Sequence, residues 1–150
     1  MSIKKYLISL ILCIFILLIL RKFLFPSEIE EIKKTIYKGK NSIEKESSNG
    51  VMALLDPEFS DNYGNNYSDI DKAISQFFNT VDSIDIKISI RSIHINIQPN
   101  SQCAVCSLRV RIFGSIEGER GIIYGAIKPA DVILRLIKKE RLWLFRTISY

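Results

Sequence analysis

Residues 102–150, QCAVCSLRVRIFGSIEGERGIIYGAIKPADVILRLIKKERLWLFRTISY, decide the fold of this chain. Ala104, Cys106, Leu108, Val110 and Ile112 fall on one parity, with Ser107, Arg109 and Arg111 on the other. A period of two with one apolar side is the pattern of a strand that has one face in a core and the other in water. Residues 114–121 read as a loop or hairpin end, and residues 122–127 as a further strand. Lys128-Pro129-Ala130 breaks that strand before residues 132–138 begin another, which turns at Lys138-Lys139-Glu140-Arg141. Leu142-Trp143-Leu144-Phe145 is apolar at every position, which predicts a final strand covered on both faces. Helices supply one cover, and a second subunit through the sheet would supply the other.

Upstream, Ile84, Ile86, Ile88 and Ile90 alternate with Asp85, Lys87 and Ser89, and Ile93, Ile95 and Ile97 continue on the opposite parity. The phase slip at Arg91-Ser92 predicts a β-bulge that bends a long strand. Before this the period is helical. Ser27-Glu28-Ile29-Glu30 matches a capping box, and Ile29, Ile32, Ile36 and Ile43 mark the buried stripe of a helix that Gly39 interrupts or loosens. Residues 51–55 predict a short helix ended by Asp56-Pro57, because the residue before proline avoids helical geometry. Residues 59–63 follow as a brief strand. Ser68 or Asp69 caps a third helix whose inner face carries Ile70, Ala73, Ile74, Phe77 and Phe78. The sum is an α+β domain, about three helices packed on one face of a curved antiparallel sheet.

The N-terminus divides the chain in two, a membrane anchor over residues 1–26 and one domain over residues 27–150. Residues 6–20 hold no charge, and twelve of the fifteen are Leu, Ile or Phe. At 1.5 Å per residue they reach about 22 Å, and Phe23-Leu24-Phe25 extends the run to roughly 30 Å if Arg21 and Lys22 snorkel to the interface. This predicts a transmembrane helix that contacts lipid through residues 4–25. Leu20-Arg21-Lys22-Phe23 offers no small-residue cleavage site, so an uncleaved signal anchor is the reading and a cleaved signal the alternative. The expected address is a single-pass protein of a bacterial inner membrane with its domain outside the cytoplasm. The net charge of +5 belongs mostly to this segment: without Lys4, Lys5, Arg21 and Lys22, 17 basic residues face 16 acidic ones. A nearly neutral domain argues against nucleic-acid binding.

Cys103 and Cys106 have the C-x-x-C spacing of a redox or metal pair. On a strand, however, residues three apart point to opposite faces about 10 Å apart, too far for a disulfide. With no second pair and no histidine cluster, no metal is expected, nor any cofactor.

The order of helices, bent strand and meander resembles the nuclear-transport-factor-like superfamily, the cone fold shared by ketosteroid isomerase, scytalone dehydratase and polyketide cyclases. The matching pieces are VMALLDPEFSDNYG, from residue 51, and the closing hairpin VILRLIKKERLWLFRTISY. The resemblance implies a pocket between the helices and the concave sheet. It would place Asp61 and Tyr63 as base and hydrogen-bond donor, Tyr67 near the mouth, and Tyr124 and Trp143 on the strands. His94 shares the polar parity with Ser92 and Asn96, so the His-Asp pair of dehydratase members is expected to be missing. Each of these residues has a plainer role, Asp61 as a turn cap and the tyrosines as rim aromatics. A membrane-tethered, non-catalytic module for a protein or small apolar ligand is therefore the first functional reading. A small-molecule isomerase, dehydratase or cyclase is the second, and a dimeric scaffold is the third.

Overall fold

The computed structural model describes residues 11–17, 27–89, 93–98 and 102–150. The chain divides into two compact units, Met1–Glu31 and Ile32–Tyr150. In the first, residues 11–17 are helical and exposed. Among the described residues no helix is long and apolar enough to cross a membrane, and most of the expected anchor lies outside them. At Ser27 the expected cap is present: its hydroxyl accepts a hydrogen bond from the Glu30 N–H at 3.3 Å and its carbonyl one from the Glu31 N–H.

Helix α1, Glu28–Glu44, runs unbroken through Gly39. Ile32 and Ile36 are buried as their spacing required, but Ile29 is exposed. Gly39 is not a break. A Cβ there would sit 3.3 Å from the Phe145 ring, so the glycine lets an aromatic side chain of the sheet approach the helix. Helix α2, Ser48–Met52, is capped by the Ser47 hydroxyl. Helix α3, Tyr67–Thr80, begins two residues before the earlier of the two expected starts, because Asn66 rather than Ser68 or Asp69 is the cap, with Asn66 and Asp69 forming a reciprocal capping box. Its inner stripe is partly buried, while Ala73 is exposed.

Among the described residues the sheet has seven strands, ordered β1-β7-β6-β4-β2, with β3 and β5 also on β4. They are β1 Leu55–Asp61, β2 Asp82–Ile88, β3 His94–Ile97, β4 Cys103–Ile116, β5 Glu119–Tyr124, β6 Ala130–Lys139 and β7 Leu142–Ser149. The long β4 is paired along both edges. On one it meets β6 from Cys103 to Val110 and then β5; on the other it meets β3 and then β2. Between Ile88↔Val110 and His94↔Ser107 the chain advances six residues while β4 advances three. The expected slip point, Arg91-Ser92, lies outside the described residues. A second irregularity falls between Asp82 and Asp85, where Ser83 takes φ 55°, and others interrupt the β6–β7 and β4–β5 pairings. Repeated bulges add local twist, and the sheet curls into a half-barrel.

Two expectations about this sheet require correction. The first strand starts at Leu55 and passes through Asp56-Pro57, so the short helix ends at Met52 rather than at the proline. It pairs with β7 in parallel, so the sheet is not wholly antiparallel. Proline can occupy this strand because β1 is an edge, where an N–H facing away from the partner is dispensable.

The turns follow from backbone chemistry. Glu117 and Gly118 take φ 52° and 84°, the two positive values of a tight two-residue hairpin. The closing hairpin pairs Lys139 with Leu142 across Glu140 and Arg141. Ala104, Cys106, Leu108 and Val110 are buried on the concave side, and Val132, Leu134, Leu136, Trp143 and Phe145 join them. Among the described residues the final strand is fully covered on that face alone, since Leu142 is 65% exposed and Leu144 half-buried.

Candidate functional site

A cavity of about 500 Å³ lies between α1 and the concave sheet. Ile36, Gly39, Lys40 and Ile43 come from α1, Val51 from α2, Phe77 from α3 and Ile86 with Ile88 from β2. Leu108, Val110 and Ile112 project from β4, Ile123 and Tyr124 from β5, Val132 and Leu134 from β6, and Phe145 and Ile148 from β7. Leu54, Leu55 and Tyr150 complete the wall. The alternation read on β4 supplies this lining: the apolar parity that forms the core also faces the cavity. Volume and lining fall in the range of sites for small apolar molecules.

Lys40, Tyr124 and Tyr150 are the wall residues with polar side-chain tips. The Lys40 ammonium is ion-paired with Glu44, whose other oxygen accepts from the Ile86 N–H at 2.8 Å. Tyr150 is half-exposed and marks the opening. Its ring lies 5.5 Å from Tyr63 and 6.3 Å, edge-on, from Tyr124. Burial, together with the nearby Asp61 charge, raises the pKa of its phenol. No carboxylate, imidazole or thiol stands on the cavity wall among the described residues.

Asp61, Tyr63 and Tyr124 are thus brought together, through Tyr150. Asp61 Oδ1 accepts from the N–H groups of Tyr63 at 2.9 Å and Asn65 at 2.8 Å, and Oδ2 from the Asn65 amide at 2.7 Å. Partial burial pulls its pKa up, but these bonds outweigh it and hold the carboxyl below the ordinary aspartate range. It caps a turn outside the cavity wall. Tyr63 is 69% exposed, a rim aromatic that packs on Tyr150. Tyr67 lies elsewhere, its hydroxyl donating to the Met52 carbonyl at 3.3 Å. Trp143 is buried in the core beneath the Lys138 ammonium, 5.8 Å from its ring, and does not line the cavity. His94 is exposed, on the outer parity as expected. Cys103 and Cys106 are free thiols, the latter buried, and no group of three metal-ligating side chains exists among the described residues.

Two features escaped the sequence. Tyr150 follows a strand whose alternation gives no hint that three rings meet. Asp56, within a D-P pair that reads as a helix stop, is fully buried. It accepts from the Glu58 N–H at 2.8 Å and from Arg146 Nη1 at 2.7 Å. Its Oδ2 lacks a hydrogen bond of good geometry but lies 2.8 Å from Lys139 Nζ, an ion pair that satisfies it electrostatically. Burial opposes this charge, yet Lys139, the Glu58 amide and Arg146 together keep the carboxyl below its ordinary range.

No protein-family profile matches the sequence, and no curated protein matches it. Solved structures do match the fold. A candidate scytalone dehydratase of Novosphingobium aromaticivorans superposes with a TM-score of 0.64 at 15% identity, over 81% of both chains. A candidate dehydratase of the NTF2-like family from Streptomyces avermitilis gives 0.68 at 8% identity, over 81% of this chain and 93% of its own. A candidate aromatic ring hydroxylase of N. aromaticivorans gives 0.68 at 10%, over 82% and 89%. At such identities the likeness establishes the fold, an NTF2-like cone, and carries no activity with it.

Proposed function

We propose that this protein is a non-catalytic binding module that holds a small apolar ligand in its cone cavity. The observation that carries the reading is a cavity of about 500 Å³ walled by hydrocarbon, without a carboxylate or imidazole among its described lining. Transfer of an apolar molecule from water into such a space is favourable in proportion to the area buried. General acid-base chemistry would need a titratable group within hydrogen-bond reach of the ligand. Tethering by residues 4–25, with the domain outside the cytoplasm, completes the proposal; the uncharged run at residues 6–20 supports it. The test is titration of the full chain with a neutral environment-sensitive dye such as N-phenyl-1-naphthylamine. Saturable enhancement, abolished by the cavity-filling substitution Leu108→Trp in a protein that still melts cooperatively, is expected. Enhancement unchanged by that substitution overturns the reading.

A dehydratase or isomerase is the second reading, favoured by the two candidate dehydratases among the structural neighbours and by the Asp61 carboxylate lying near the Tyr150 phenol. It ranks below the first because Asp61 is a poor base with its pKa depressed. Carboxyl chemical shifts followed against pH decide it: titration of Asp61 near neutrality would restore the enzyme reading. A homodimer through the outer sheet face is a separate proposal, supported by Ile133 at 50% exposure and Leu142 at 65%. Sedimentation of the full chain as a monomer alone would exclude it.

A further inference from the structure

Resting on that binding reading, we infer that the ligand is uncharged and carries one hydroxyl or carbonyl group, which the Tyr124 hydroxyl recognises. The inference comes from which polar groups on the wall are already engaged. Lys40 would attract an anion, but its ammonium is committed to Glu44, and Glu44 is itself fixed by the Ile86 N–H. An anionic ligand would have to displace a carboxylate held in place by two partners. The Tyr150 phenol stands half-exposed at the rim beside the Asp61 charge, where water serves it, and Asp61 is locked in its turn by bonds from Tyr63 and Asn65. Tyr124 differs. Its ring touches Tyr150 edge-on, it lines the cavity from β5, and no hydrogen bond to its hydroxyl is found among the described residues. A half-buried phenol on an apolar wall gains when a ligand group completes its bond, and it can either donate or accept. A cation is disfavoured as well, because no free carboxylate lines the wall and Lys40 repels it.

The test uses three probes with one apolar body and different heads: naphthalene, 2-naphthol and 2-naphthoate. Each is titrated at neutral pH into the full chain held in lipid nanodiscs, with empty nanodiscs subtracted. The expected order is 2-naphthol tightest, naphthalene weaker by roughly three- to tenfold, the span of one neutral hydrogen bond, and 2-naphthoate weakest. Tyr124→Phe is expected to bring 2-naphthol to the affinity of naphthalene and to leave naphthalene unchanged, which also certifies the variant's fold. Naphthoate binding as tightly as naphthol overturns the inference and makes Lys40 the anchor. A naphthol affinity unaffected by Tyr124→Phe also overturns it, while the cavity reading stands. Failure of all three probes to bind removes the cavity reading and the inference with it.

Discussion

Replacing Asp56 by Asn keeps the shape of the side chain and removes one negative charge from a site with no solvent exposure. The amide oxygen still accepts from the Glu58 N–H and from Arg146, which share Oδ1, but an NH2 group now confronts the Lys139 ammonium, donor against donor. Breaking a buried pair typically costs about 3–5 kcal/mol. Here Lys139 is 44% exposed and Arg146 31% exposed, and Arg146 keeps Glu58, so both cations regain water or a partner. The low end, about 3 kcal/mol, is expected, equivalent to roughly 8–15 °C in Tm for a domain of this size. Asp131→Asn is the control. Its partner Arg109 and the acid are 61% and 65% exposed, and an exposed pair of this kind is worth about 0–1 kcal/mol. The assay is urea and thermal unfolding of wild type and both variants at matched pH and salt.

The pH dependence adds a second arm. Asp56 has a lowered folded-state pKa, so its contribution is complete above the unfolded-state value of about 3.9 and is lost as pH falls through the folded value. The gap between wild type and Asp56→Asn should therefore stay constant from pH 7 to about pH 5 and close below about pH 4. An Asp56→Asn loss no greater than that of Asp131→Asn would refute the assignment of the buried cluster as the latch joining β1 to β6 and β7.

Three further outcomes are expected. Burial pushes the Cys106 thiol up to about 11, so iodoacetamide at pH 8 should label Cys103 well before Cys106, as peptide mass spectrometry would show; equal labelling in the folded state would contradict its packing. Gly114→Ala places a methyl 2.5 Å from Cγ1 of Val81, a stiff and buried side chain, and should cost about 1–3 kcal/mol in denaturant unfolding. Asp61→Ala removes three hydrogen bonds from the turn after β1 and should cost about 1–2 kcal/mol; a stability equal to wild type would leave its bonds without consequence.

The parts legible in the amino-acid order are those whose causes are local. The apolar parity of Ala104, Cys106, Leu108 and Val110 named the concave face because side chains on a strand alternate irrespective of what they meet. The same rule placed His94 outside and Cys103 and Cys106 too far apart to bridge. Ser27 announced the start of α1 through chemistry within three residues. Asp61 as a turn cap was equally readable, because its partners are Tyr63 and Asn65.

Asp56 and Tyr150 were beyond such reading. Locally, an aspartate before proline looks like a helix stop; its real partners include Arg146, 90 residues away, which arrives only when β1 lies parallel to β7. Tyr63, Tyr124 and Tyr150 likewise meet only after the sheet curls. Periodicity by itself determined which faces are apolar, since it reports each side chain's direction from its own backbone. Tertiary structure alone decided which of those faces enclose an empty volume and which charges inside are neutralised, because both depend on distances between segments that the order of residues does not contain.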